Sequence, residues 1–213
     1  MRKVLNKNKL FYFVMISLIL VVIIVIGVKF TLEFLVKDDK NVVTKKELDS
    51  LELYGYTLDD YDSDLYKEYF NDLKSTLNSK EVNYEDYAKE IVKLFVSDFY
   101  TLDNKNDKND IGGIQFIYDD LKDNFILNAS DTVYKYIKNI TSSKNRQLPV
   151  VSKINVSDIS ENTYKIENTE YSSYIVTLDW SYEKDYGYET STKITLIKKD
   201  NKLFIVEKVS NNE

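Results

Sequence analysis

Between residues 65 and 102 the apolar positions recur at steps of three and four, and beyond residue 149 they recur at every second position. Leu65, Tyr69, Phe70, Leu73 and Leu77 predict an amphipathic helix that ends near Asn78. A second helix is predicted after Asn83, with Asp86 at its third position as in a capping box. Its stripe is Tyr87, Ile91, Leu94, Phe95, Val96, Phe99 and Leu102, and the short link at 79–82 makes the two a hairpin sharing one apolar face. Shorter helices are predicted at 119–124 and 130–139, the latter capped by Ser130 and burying Val133, Tyr134 and Ile137. Strands are predicted at 150–157, 173–183, 189–199 and 202–209, with 163–167 as a short addition. Tyr174, Val176, Leu178, Trp180 and Tyr182 share one strand face, so that face is buried. Asp200-Asn201 is a tight-hairpin signal. Helices followed by an antiparallel meander predict an α+β domain.

Ahead of this domain, Arg2, Lys3, Lys7 and Lys9 precede an almost wholly apolar run that begins at Leu10 and ends at Val28. Nineteen residues at helical rise span roughly 28 Å, close to the thickness of bilayer hydrocarbon. The run predicts a single transmembrane helix, and the basic residues before it predict a cytoplasmic N-terminus with the rest of the chain outside. A cleaved signal peptide would need a shorter apolar core and a small-x-small site, whereas Gly27-Val28-Lys29-Phe30-Thr31 follows the run. The predicted organisation is a basic tip and membrane anchor over 1–36, a polar stalk over 37–62, an extracytoplasmic domain over 63–210 and a tail over 211–213.

Charge sharpens this division. Residues 1–29 contain five basic side chains and no acid, leaving 24 basic against 35 acidic side chains in the remainder, a net charge of −11. So acidic a surface does not seek nucleic acid, which needs basic patches. The chain has no cysteine and no histidine. Disulfides are therefore excluded, as are Ser-His-Asp and Cys-His catalysis and the usual zinc ligand sets. Richness in Lys, Asn, Ile, Tyr and Phe, with five glycines and one proline, matches the coding bias of an AT-rich bacterial genome.

The remaining candidates for chemistry are weak. From Asp60 or Asp62 in the acidic run 59–64, a calcium loop would need Gly at the sixth position, and Leu65 or Lys67 stands there; a helix start capped by Ser63 or Asp62 explains the run better. The run 103–110 places Lys105 and Lys108 at ligand and turn positions, so it reads as a solvated loop. Ser181 and Lys184 have the spacing of a penicillin-recognising nucleophile but fall in a strand, where residues three apart point to opposite faces. Asp179 with Glu183 reads as a solvent face, and the lone Trp180 as core. No catalytic, cofactor or metal position is assigned.

Helix 84–102, the Gly112-Gly113 crossing into Phe116-Ile117-Tyr118 and the closing hairpin 195–206 together resemble a nuclear transport factor 2-like (cystatin-like) domain, a cone in which a curved antiparallel sheet wraps a long helix. With its anchor, the layout is similar to that of the inner scaffold subunit of bacterial conjugation and type IV secretion machines. The enzymes of that fold group use Asp, His, Tyr or Arg at the mouth of the cone. This chain lacks histidine, and its only arginine beyond residue 2 is Arg146. The resemblance implies an anchored, non-catalytic interaction module that assembles with itself or with other envelope proteins. The alternative is a small-ligand-binding or enzymatic domain that uses the interior of the cone as a pocket.

Overall fold

A computed structural model describes residues 45–137 and 147–210. Strands β1 (Glu47–Leu51) and β2 (Tyr56–Asp59) are followed by helices α1 (Asp64–Leu77), α2 (Tyr84–Phe99) and α3 (Lys122–Asp131), then strands β3 (Val151–Ile166), β4 (Thr169–Tyr182), β5 (Ser191–Lys199) and β6 (Lys202–Ser210). Single turns of 3₁₀ helix at Ile114–Phe116 and Asp119–Leu121 connect α2 to α3.

The helix starts follow local chemistry. Ser63 Oγ accepts the Tyr66 N–H at 3.1 Å and caps α1. Asn83 Oδ1 accepts the N–H groups of Glu85 and Asp86 at 2.9 and 3.1 Å and caps α2. Each cap satisfies donors that the first helical turn leaves without a carbonyl, and Glu85 and Asp86 also complement the positive end of the helix. Tyr66, Phe70 and Leu73 of α1 and Ile91, Leu94, Phe95 and Val96 of α2 are buried and join the core.

The four-stranded sheet is an antiparallel meander in the order β3-β4-β5-β6, while β1 and β2 pair as a separate two-stranded sheet. Tyr174, Val176, Leu178 and Trp180 of β4 are buried in the main core, as the alternation predicts. Asp200, at φ 56, occupies the left-handed region in the tight β5–β6 turn, a conformation that Asp tolerates better than most residues.

Without disulfides, the fold is cross-linked by buried tyrosine hydroxyls. Tyr56 and Tyr87 share a hydrogen bond of 2.8 Å; the Tyr56 hydroxyl donates to the Leu203 carbonyl at 3.1 Å, and the Leu203 N–H donates to Tyr87 at 3.4 Å. This ties β2 and α2 to β6. The Tyr134 hydroxyl donates to the Phe99 carbonyl at 2.6 Å and accepts from Gly112 N–H at 3.0 Å. Gln115 and Tyr66 join the start of α1 to β2 through Thr57. Each bond satisfies a polar group that would be costly to bury alone.

Several expectations are corrected. Among the described residues no helix is long and apolar enough to cross a membrane; the expected transmembrane helix from Leu10 to Val28 lies outside them. The α+β class is correct, but the expected cone, with one curved sheet wrapping the helix, is replaced by a four-stranded sheet and a separate two-stranded one. The apolar run after Gly112-Gly113 does not become a full strand. Gly113, at φ 76, starts a 3₁₀ turn that puts Phe116 in the core 5.4 Å from the Tyr56 ring, and only Ile117 makes an isolated bridge to Ile205. The expected stalk over 37–62 contains the β1–β2 hairpin, since Tyr56 and Leu58 bury against the core and hold the hairpin there. The helix expected at 130–139 is replaced by α3, which ends at Asp131 and has Ser130 in its last turn. The short addition at 163–167 is instead the far end of β3.

Candidate functional site

The β5–β6 turn, the β1–β2 turn and Asp119 line an open cleft of about 500 Å³. Lys199 and Lys202 reach it from β5 and β6, Leu53 and Tyr54 from the β1–β2 turn, and Phe204 from β6. Lys202 is half-buried, with its ammonium 4.5 Å from the Tyr56 ring centre and 5.0 Å from that of Phe204. Both rings present a negative π-face to a cation. Burial, reinforced by the nearby Lys122, pulls the Lys202 pKa below its ordinary value, against a smaller opposing effect of Asp119. Lys202 makes no ion pair among the described residues, whereas Asp119 is held by Lys122 at 2.7 Å.

On β5 the same pairing of lysine and ring recurs, at Lys199 in the lining and at Lys198 outside it. Lys199 donates to the Tyr118 hydroxyl at 3.2 Å and lies 5.0 Å from that ring's centre. Lys198 stands 3.6 Å above the Tyr84 ring. Tyr54 stacks on Tyr56 at 6.1 Å and meets Tyr87 edge-on at 5.8 Å, which leaves Leu53 at the lip, 97% exposed. Gly55, at φ 64, closes the β1–β2 turn where a side chain would come within 3.8 Å of the Lys202 ammonium. The lining sets two lysines, Lys199 and Lys202, against two aspartates, Asp119 and Asp200, so the cleft is locally neutral on a domain with a large acidic excess.

A second cluster of charges has a structural role. Lys105, 1% exposed, pairs with Asp98, and Asp98 also accepts the Gly113 N–H at 2.7 Å. Burial pushes the Asp98 carboxyl up, but the charge and hydrogen bond of Lys105, with Gly113 and Lys45, outweigh it and hold it below the usual value. Lys45 pairs with Asp110 at 2.7 Å, and Asp110 in turn accepts the Asn106 N–H at 2.9 Å. The run 103–110, read as a solvated loop, is thus organised around an inward-pointing ammonium. Among the described residues no group of three or more metal-type ligands converges on one point.

Asp62, in the acidic turn before α1, accepts the Asp59 N–H at 2.6 Å, and burial raises its pKa to about 6. The folded state therefore binds this proton more tightly than an unfolded chain with a pKa near 3.9. Burying the ionised carboxyl costs stability above about pH 6, and the cost fades as pH falls toward 4. Asp62→Asn keeps an acceptor for Asp59. It should raise unfolding stability by about 1–2 kcal/mol at pH 7.5 after allowance for solvent screening, with the gain vanishing near pH 4. Urea titrations at the two pH values check this, and a gain that grows on acidification would contradict it.

The other candidates from the sequence are dispersed. Ser181 is exposed on β4, while the Lys184 ammonium lies 5.0 Å from the Tyr186 ring. Asp179 accepts from Asn155 at 3.1 Å on the exposed side of the sheet. Trp180, 3% exposed, packs 4.7 Å from Tyr100. The space between α2 and the sheet is filled by Ile91, Leu94, Val176, Leu178, Ile194 and Leu196, each no more than 1% exposed. The lysine–aromatic cleft was missed because its parts are far apart in the chain; the available signal was the pattern Lys198-Lys199-Asp200-Asn201-Lys202 within an acidic domain. Comparison of the chain with protein-family models, curated proteins and solved structures finds no match.

Proposed function

We propose that this chain is a non-catalytic protein-interaction module of a bacterial envelope, held at the membrane through the run from Leu10 to Val28 with its acidic domain on the extracytoplasmic side. Its docking point is the lysine–aromatic cleft, and its ligand is an acidic side chain of a partner protein next to an apolar one. The carrying observation is Lys202, a half-buried ammonium between two rings with no carboxylate paired to it among the described residues. An incoming carboxylate would gain a charge-assisted bond there. Tyr54, with Leu53 beside it, offers the adjoining apolar contact, tyrosine being among the residues enriched at interface hot spots. The filled interior between α2 and the sheet weighs against the alternative of a small-ligand or enzymatic pocket within it.

A photo-crosslinking residue at Leu53, introduced into the full chain in its native membrane, tests the docking point. The reading expects a discrete protein adduct that disappears when Lys202→Glu is added. An adduct indifferent to Lys202→Glu, or none, would overturn it. The sidedness is tested by Ser210→Cys, which an impermeant maleimide should label in intact cells; labelling only after lysis would reverse the orientation.

A further inference from the structure

β3 is an edge strand of the four-stranded sheet, 16 residues long, and no described strand pairs with its outer side. Its far half pairs with β4 as a ribbon that extends past the end of β5, since β5 pairs with β4 only over Ser173 to Asp179. From 157 to 165 every residue except Ile159 and Tyr164 is exposed. An open edge of this length presents a row of backbone donors and acceptors without a strand partner, which proteins normally cover or block; the Thr163 N–H donates to its neighbour Asn162 Oδ1 at 2.8 Å, a bond that strand pairing would exchange. Two bulges, between Val151 and Lys153 and between Val156 and Asp158, disturb the near half, while the register from Asp158 to Ile166 runs without interruption.

We propose that this uninterrupted half pairs with the same segment of a second copy, antiparallel about a twofold axis at Thr163. Such an axis, perpendicular to the sheet, keeps each side chain on its own face and sets Thr163 against Thr163 of the second copy. It also sets Lys165 against Glu161 of the second copy, twice by symmetry. Within one chain Lys165 already stands opposite Glu170 on β4, so pairing places it between carboxylates on both neighbouring strands. Moving the axis by one residue in either direction loses both opposite-charge pairs. Moving it by two sets Glu161 or Lys165 against its own copy. The charge pattern of the strand therefore selects one self-complementary register. The result is a continuous eight-stranded sheet across two copies, formed by β3 and independent of the lysine–aromatic cleft.

The chain has no cysteine, so Thr163→Cys supplies a unique thiol. With this full-length variant in its membrane, a short bis-maleimide should give a covalent dimer. Adding Lys165→Glu should reduce the dimer severalfold by facing two carboxylates, and adding Glu161→Lys to that variant should restore it by exchanging the pair. Unshifted Trp180 emission checks that the exposed substitutions leave the fold intact. No dimer at Thr163, insensitivity to Lys165→Glu, or no recovery in the exchanged variant would overturn the proposal. Lys202→Glu should leave the crosslink unchanged, which separates failure of this interface from failure of the cleft reading.

Discussion

Lys105→Ala should destabilise the domain by about 3–5 kcal/mol, an effect large enough to unfold many domains of ordinary stability. The cost arises on the other side of the pair. The Asp98 side chain is 14% exposed, and without the ammonium its charge would be left with the Gly113 N–H as its nearest compensation. The double variant Asp98→Asn with Lys105→Met should recover part of the loss, because replacing both charges is far less costly than stranding one. Urea unfolding followed by Trp180 emission checks both variants. A single-variant cost below about 1 kcal/mol would mean that Lys105 is solvated and its pairing incidental.

The second large effect is at Phe99, 4% exposed at the end of α2. Its ring packs 4.8 Å from Tyr100, 5.3 Å from Phe95 and Phe125, and 5.4 Å from Tyr134, so its loss opens a cavity where α2, α3 and the connection beyond α3 meet. Phe99→Ala should cost about 3–5 kcal/mol. Tyr100 lies against Trp180 at 4.7 Å and carries the disturbance to the only tryptophan. Any folded Phe99→Ala protein should therefore show altered emission, and unchanged emission with unchanged urea midpoint would contradict this packing.

What was legible in the sequence was periodicity. The stripe from Leu65 to Leu77 marked α1 within a residue or two, and that from Tyr87 to Leu102 marked α2 but overran its end at Phe99 by three residues; both were visible because each helix buries one face and carries an Asn or Ser cap. The alternation in β4 likewise placed Trp180 in the core. β1 was not legible, since its side chains are at most half-buried and its stability comes from pairing with β2. The loop 103–110 was misread for a related reason. Lysine is the residue least expected inside, and nothing local to the loop announces that Asp98, on α2, waits to pair with it. Nor could the candidate cleft be seen, because its rings come from Tyr54, Tyr56, Tyr118 and Phe204, which only the tertiary fold assembles around Lys199 and Lys202.

The proposed docking role depends on Lys202 standing as an open cation against two rings, available to a partner's carboxylate. Its most direct test is an NMR pH titration of the Lys202 side-chain ammonium in the full-length chain, assigned by comparison with Lys202→Arg. A pKa below the ordinary 10.5 is expected, because burial and Lys122 disfavour the charge and outweigh the smaller opposing effect of Asp119. A pKa at or above 10.5 would mean that a carboxylate of the protein already neutralises it, and would contradict the docking role.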